Sequence, residues 1–464
     1  MVREAVLHSH LESILGSERV FPREEAASYA VDGIVPQAVA LPATVEEVAE
    51  VMRLAQREGV AVIPWGGGSA MTLGNSPRRY HIALCLSRLN EVVEHEPADL
   101  TATVQAGMTL ASFQRHLAAS GQFLPLDPPS PQSATIGGIL AANASGPSRH
   151  AYGTARDLAL GMRLVMADGR IIKAGGRVVK NVAGYDMVRL LIGSLGTLGI
   201  IVEASLKLAP LPKAERTLAA VLPSAQSAFG GYRFAAQAAG LSLRAVELLN
   251  APAAKQACLG RKSADLSAPD RQVAPLGEVP EYAFALVLAA AGEAAAVERS
   301  LNQMSELSRQ ASALSLTEVD ASVQGQLWES IAGLALPSAN ETSLVCKAAA
   351  LPSRVPALIS GLQAAGQGLS LEPLIVSHLT AGIVYSIWPL RPDGTETALE
   401  LVTALRQTAR ELGGSLVVEA CPPALKERID VWGEPGPDFP LMRRIKEQLD
   451  PQAILNPGRF LGKL

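Results

Sequence analysis

Three segments of this chain carry residue types that can close on a phosphate or lie flat against an organic ring. The first, Val62-Ile63-Pro64-Trp65-Gly66-Gly67-Gly68-Ser69-Ala70, runs from an apolar stretch straight into three glycines. Residues without a Cβ adopt positive φ and let successive backbone N–H groups approach an anion. The second, Pro131-Gln132-Ser133-Ala134-Thr135-Ile136-Gly137-Gly138-Ile139-Leu140-Ala141-Ala142-Asn143-Ala144-Ser145-Gly146, follows the stiff run Asp127-Pro128-Pro129-Ser130. Its small side chains leave room for a planar group against the main chain. The third, Gly193-Ser194-Leu195-Gly196-Thr197-Leu198-Gly199-Ile200-Ile201, is a turn that feeds a strand. Each alone also suits simple packing; together they point to a dinucleotide. The standard signatures are missing. The first loop has no third glycine at Rossmann spacing, and the one Gly-Lys pair, Gly462-Lys463, lacks the Ser/Thr and spacing of a P-loop. A non-Rossmann fold is required.

The elements that must position these segments are legible around them. Thr44 and Glu47 have capping-box spacing, and Val45, Val48, Met52 and Ala55 recur at helical period, which predicts a helix over 45–58 ending at Gly59. Strands are expected at Val60–Pro64, Ile82–Leu86, Thr101–Ala106 and Ile200–Leu208. Thr109 caps a helix carrying Phe113 and Leu117, and Asp168-Gly169 supplies the positive φ of a hairpin turn between 162–166 and 170–173. The first 35 residues read as a helical segment, and Pro210 and Pro212 place a boundary after residue 211. From 212 to 429 the composition shifts to alanine and leucine. Helices near 224–238, 292–311, 353–366 and 395–411, with short apolar strands such as 284–288 and 383–387, predict an antiparallel sheet with helices on one face. Residues 260–281 read as a loop, and 430–464 as a closing segment.

Composition narrows the class. The 464 residues exceed what one core usually holds, the formal net charge is −4, and no lysine/arginine block suggests nucleic acid or a polybasic anchor. Cys85, Cys258, Cys346 and Cys421 are widely spaced, which excludes an iron–sulfur or zinc framework and predicts reduced thiols. No apolar stretch is long enough to span a bilayer, so a cytoplasmic location is expected, with membrane association only through partners.

The three glycine segments, the link Arg177-Val178-Val179-Lys180-Asn181-Val182-Ala183-Gly184-Tyr185-Asp186 and the terminal Leu455-Asn456-Pro457-Gly458-Arg459-Phe460 together resemble the vanillyl-alcohol-oxidase/PCMH family of FAD-dependent oxidoreductases. Within it the chain is most similar to FAD-binding subunits of bacterial glycolate oxidase complexes, a likeness that Asp430-Val431-Trp432-Gly433 and Leu441-Met442-Arg443-Arg444-Ile445-Lys446 support. The resemblance implies an α+β fold: a PCMH-type FAD domain of two subdomains over 36–211, an α+β cap over 212–429, and a C-terminal return. It also implies that Gly66, Gly67, Gly68 and Ser69 hold the FAD pyrophosphate through backbone N–H groups, with Pro64, Trp65 and Ala70 beside them among the cofactor-binding residues. Thr135, Ile136, Gly137, Gly138, Asn143, Ser145 and Gly146 would flank phosphates and flavin, Gly199, Ile200 and Ile201 the adenine side, and Asn456 the isoalloxazine. Relatives that attach FAD covalently place a histidine where this chain has Ser69, so non-covalent FAD is expected.

In relatives that oxidise D-2-hydroxy acids, the resemblance implies metal ligands from a His-x-Gly-Asp-Gly-Asn-x-His segment and a base from Glu-His-Gly. Here the first segment is His378-Leu379-Thr380-Ala381-Gly382-Ile383-Val384-Tyr385, with tyrosine at the second histidine, and the other keeps Glu419 but has Ala420 at the base. His378, Glu419 and Tyr385 are therefore the candidate catalytic residues, no metal is expected, and Tyr185 and Arg156 are candidate pocket residues. His378 equally suits a structural, hydrogen-bonded role, and Cys421 a buried thiol. Three readings stay open. The chain is an electron-relay or accessory subunit beside a catalytic flavoprotein and an iron–sulfur subunit, a self-sufficient metal-independent FAD oxidoreductase, or a non-catalytic assembly subunit.

Overall fold

A computed structural model describes residues 4–176, 185–228, 241–259, 275–336 and 343–464. Within it the chain divides into two compact units. One comprises Met1–Ser145, Thr154–Leu211 and Lys426–Leu464; the other comprises Gly146–Gly153 and Pro212–Leu425. The link over 177–184 and most of the helix expected over 224–238 lie outside the described residues, as does most of the loop expected over 260–281.

The first unit opens with helix α1 (Glu4–Leu15), which buries Leu7, Leu11 and Leu15. The helical reading of residues 1–35 is corrected beyond that point: β1 (Val20–Pro22) pairs antiparallel with β2 (Ala38–Ala40), separated by short 3-10 turns. Pro22 cannot continue a helix, and alternate residues here face a sheet. Helix α2 (Val45–Glu58) forms as its sequence dictates. Thr44 Oγ1 accepts from Glu47 N at 3.1 Å, Gly59 closes the end at φ 65°, and seven apolar side chains are buried. The reciprocal half of the cap is shifted: Glu47 Oε2 accepts from Ala43 N at 2.7 Å and pairs with Arg19.

Helix α2 leads into β3 (Val62–Trp65), and β4 (Ile82–Cys85) runs parallel to both β2 and β3, giving the order β1-β2-β4-β3. The outer edge of β3 is covered by the C-terminal segment. Val62 N donates to Ile454 O and Asn456 N donates to Val62 O, each at 2.8 Å. A second sheet is wholly antiparallel, with β5 (Val92–Glu96), β6 (Thr101–Gln105), β7 (Ala159–Val165), β8 (Ile171–Gly175) and β9 (Ile200–Lys207) in the order β5-β6-β9-β7-β8. Gly169 (φ 76°) makes the β7–β8 turn. Helix α3 (Leu110–Ala118) is capped by Thr109, and the short α4 (Ile136–Ala142) by Thr135.

The second unit is an eight-stranded antiparallel sheet. Its strands are β10 (Ala214–Leu222), β11 (Leu243–Asn250), β12 (Phe284–Gly292), β13 (Ser315–Val319), β14 (Ser343–Ala349), β15 (Leu374–His378), β16 (Ile383–Pro389) and β17 (Ser415–Ala420), in the order β13-β10-β12-β11-β15-β16-β14-β17. Helices lie on both faces, not on one. Ala285, Val287 and Ala289 pack with the helices Ala251–Leu259 and Ala321–Gly333. On the opposite face Trp388 lies against Gly366 of the helix Val355–Gln367, beside Thr395–Glu411. The reason is in β12: Phe284 through Ala290 are apolar and buried at every position, the pattern of a strand covered on both sides.

Candidate functional site

In the first unit the three glycine segments line one cleft. β3 delivers Pro64 and Trp65 to its wall, and residues 66–70 leave the strand as an irregular loop. Among the described residues, the backbone N–H groups of Gly66, Gly67, Gly68 and Ser69 donate to no protein acceptor. The loop's shape demands glycine. A Cβ on Gly66 would collide with Thr135 Oγ1, one on Gly67 would penetrate the Ser133 carbonyl, and Gly68 sits at φ 75°.

The second segment is held against this loop through α4. Thr135 Oγ1 accepts from Gly138 N at 3.3 Å, and Gly137 N donates to Ala106 O at 2.8 Å. A Cβ at Gly137 would press on Ala106, so α4 and the residue that follows β6 meet at backbone distance. The third segment is pinned from two sides. Leu195 N donates to Ala141 O at 2.9 Å, and the buried Lys446 ammonium reaches Thr197 O (2.8 Å), Leu455 O (2.9 Å) and Asp450 Oδ2 (2.5 Å). Burial lowers the Lys446 pKa while Asp450 opposes that shift. Asn456 adopts φ 46° and donates from Nδ2 to Leu195 O at 2.6 Å, leaving Oδ1 buried without a partner among the described residues.

Of the residues expected to bind the cofactor, Pro64, Trp65, Gly66, Gly67, Gly68, Ser69, Ala70, Thr135, Gly137, Gly138, Ile200, Ile201 and Asn456 all line this cleft. Ile136, Asn143, Ser145 and Gly199 belong to the same unit without lining it. Ile136 points into the core, and Asn143 closes α4 at φ 49°. Gly146 belongs to the second unit. Tyr185 is 96% exposed and Arg156 is also exposed, so neither lines the cleft. Sequence reasoning missed Leu195, Met71 and, above all, Arg459. Its signal was a lone arginine in the Asn456-Pro457-Gly458 turn, with no acidic residue nearby in the sequence.

The groups present suit FAD: bare amides and a hydroxyl for phosphate, and Ala141, Ala142, Ile200 and Ile201 for apolar ring surface. A scan against family models matches residues 36–175 to an FAD binding domain and 211–460 to the C-terminal domain of FAD linked oxidases. The chain belongs to the FAD-linked oxidase family. Its cofactor is FAD. This FAD-linked oxidase is 32% identical over 436 residues to a D-2-hydroxyglutarate dehydrogenase of Xanthomonas citri pv. viticola, covering 92% of this chain and 89% of that one. It is 27% identical to the glycolate oxidase subunit GlcD of Bacillus subtilis, with 92% and 90% covered. Over 128 residues it is 41% identical to the glycolate oxidase subunit GlcE of Escherichia coli K12, covering 27% of this chain and 37% of that one. A crystal structure of p-cresol methylhydroxylase shares the PCMH-type fold, at TM-score 0.77 and 16% identity, covering 98% of this chain and 96% of the other.

The second unit of this FAD-linked oxidase gathers the candidate catalytic residues on one sheet face. Glu247 and His378 are cross-strand partners, with His378 Nδ1 and Glu247 Oε1 2.7 Å apart and both side chains buried. Tyr385 meets the His378 ring edge-on at 5.5 Å. Lys347 stands opposite Tyr385 across the β14–β16 ladder, its ammonium 3.2 Å from Glu419 Oε1 and 5.5 Å from the Tyr385 ring centroid. Burial, with Glu419 adding, pushes the Tyr385 phenol up to about 12. Burial alone would lower the Lys347 pKa, but Tyr385 and Glu419 outweigh it and raise it. These residues do not fit a divalent ion. An ammonium already neutralises Glu419, and among the described residues no group of three or more His, Cys, Asp or Glu side chains is placed to hold a metal, whereas such an ion needs several unprotonated donors at about 2 Å.

Proposed function

We propose that this chain is the FAD-binding subunit of a complex that oxidises glycolate or a related D-2-hydroxy acid, with FAD held non-covalently. In this reading its flavin relays electrons for, or otherwise supports, a second, catalytic FAD subunit and an iron–sulfur subunit. The likeness to both GlcD and GlcE supports membership of such an assembly. The observation that carries the reading is Lys347. Its ammonium lies between Glu419 and Tyr385, and Ala420 offers no proton acceptor at the next position.

When bound, FAD supplies a two-electron acceptor. The chain's own part is to grip and shape. The amides of 66–69 would take the diphosphate, Thr135 would add a hydroxyl, and Ile200 and Ile201 would wall the adenine side. Ser69 carries no imidazole to attach the flavin. Among the described residues no helix is long and apolar enough to cross a membrane, and contact with one would come through partner subunits.

A second reading, a self-sufficient metal-independent oxidoreductase, is favoured by the His378–Glu247 pair, since a carboxylate that fixes an imidazole is how a base is oriented. One experiment separates the two. The purified holoprotein is assayed with glycolate, D-lactate and an artificial acceptor, alone and with its co-purifying flavoprotein and iron–sulfur polypeptides. The subunit reading expects turnover only in the assembly; rapid turnover by the isolated chain would sink it.

A further inference from the structure

The C-terminal return places one arginine in an unusual position. Arg459 is 2% exposed and lines the same cleft as the glycine amides. Its Nη2 donates to the carbonyls of Met71 (2.9 Å) and Leu73, which fixes the plane of the guanidinium. Its own carbonyl is clamped from outside, by Asn75 N at 3.0 Å and Trp432 Nε1 at 2.9 Å. The remaining donors, Nε and Nη1, are buried and have no partner among the described residues. The neighbouring carboxylates are otherwise employed. Asp32 is bound by the fully buried Lys426 at 2.9 and 3.0 Å and by Ser76, and Asp430 by Asn75 and the amides of Trp432 and Gly462.

A buried guanidinium with two idle donors leaves a large desolvation cost uncompensated. Burial draws its pKa down to about 10, so it is still a cation at neutral pH. Such a group persists where an anion completes it. We infer that Arg459 is the charge partner of an anionic group on the bound dinucleotide, donating from Nε and Nη1 into the cleft. Two parts of FAD offer that chemistry: the diphosphate, anionic in every redox state, and the isoalloxazine, which becomes anionic on reduction. The inference rests on this cleft being the FAD site.

The test uses the full chain and the variants Arg459→Lys, Arg459→Met and Arg459→Gln. FAD dissociation constants are taken from flavin fluorescence, and midpoint potentials from dye equilibration. If the partner is the diphosphate, the neutral variants bind FAD at least 30-fold more weakly, Arg459→Lys recovers to within about fivefold, and the potential is unchanged. If it is the reduced ring, oxidised FAD binds within threefold of the parent. The neutral variants then lose about tenfold in preference for the reduced form, a fall of about 30 mV for a two-electron couple, and lysine restores it. Arg459→Lys and the neutral variants behaving alike would show that only the bonds to Met71 and Leu73 matter, and would overturn the inference. So would neutral variants that fail to fold even with FAD supplied. Parent protein that takes up no FAD would instead defeat the reading of the cleft itself.

Discussion

At the scale of single residues, Gly67 is the position where chemistry and sterics meet most tightly. A methyl group there would occupy the space of the Ser133 carbonyl, so the loop must move away from α4. Gly67→Ala is expected to weaken FAD binding by at least 100-fold, read by flavin fluorescence, with far-UV circular dichroism unchanged. Ser69 yields a second outcome. If FAD is held non-covalently, as proposed, denaturation with trichloroacetic acid should release all the yellow colour into the supernatant, since a serine at that position has no imidazole to bond the flavin. The three glycines and Thr135 were legible because their function lies in what they lack or in a short-range cap. The environment of Arg459 was not, since its isolation from acids depends on Asp32 being taken by Lys426, 394 residues away in the chain. The partner of His378 was equally hidden: Glu247 meets it only through strand pairing.

At the scale of elements, α2 carries the strand that delivers the amides, and its start depends on Glu47. That carboxylate receives Ala43 N and Arg19 Nη1, and these bonds outweigh burial to hold its pKa below the usual value of 4.5. A depressed acid contributes stability that is complete above the unfolded pKa and is lost as pH falls through the folded one. Glu47→Gln should therefore cost about 1–2 kcal/mol at pH 7 and progressively less as the pH falls below 4.5, measured by urea denaturation across that range. Helix α2 was readable to the residue because cap, period and glycine stop agree. The layering of the antiparallel unit was not. An apolar run such as 284–290 fits a strand buried on one or both sides, and only the helices that cover it decide. The strand Val20–Pro22 is too short to announce itself, and it takes its conformation from the partner Ala38–Ala40.

At the scale of the whole molecule, the FAD unit is assembled from chain segments far apart in sequence, with residues 426–464 packed among the first 211. Deletion of residues 451–464 would bare the edge of β3 and remove both Asn456 and Arg459. The truncated protein should be recovered without flavin and with a lower melting temperature that added FAD fails to raise. In the intact chain FAD at 100 times its dissociation constant should stabilise by about 2.7 kcal/mol.

The clamp between Arg459 and Leu73 spans 386 residues. At the pace of a translating ribosome, roughly 5–20 residues per second, the glycine loop would wait about 20–80 s before that arginine is made. During that interval β3 presents an unpaired edge to other nascent chains. The dinucleotide can therefore be gripped by the complete cleft only once the whole polypeptide has been made, so colour is acquired after synthesis rather than during it.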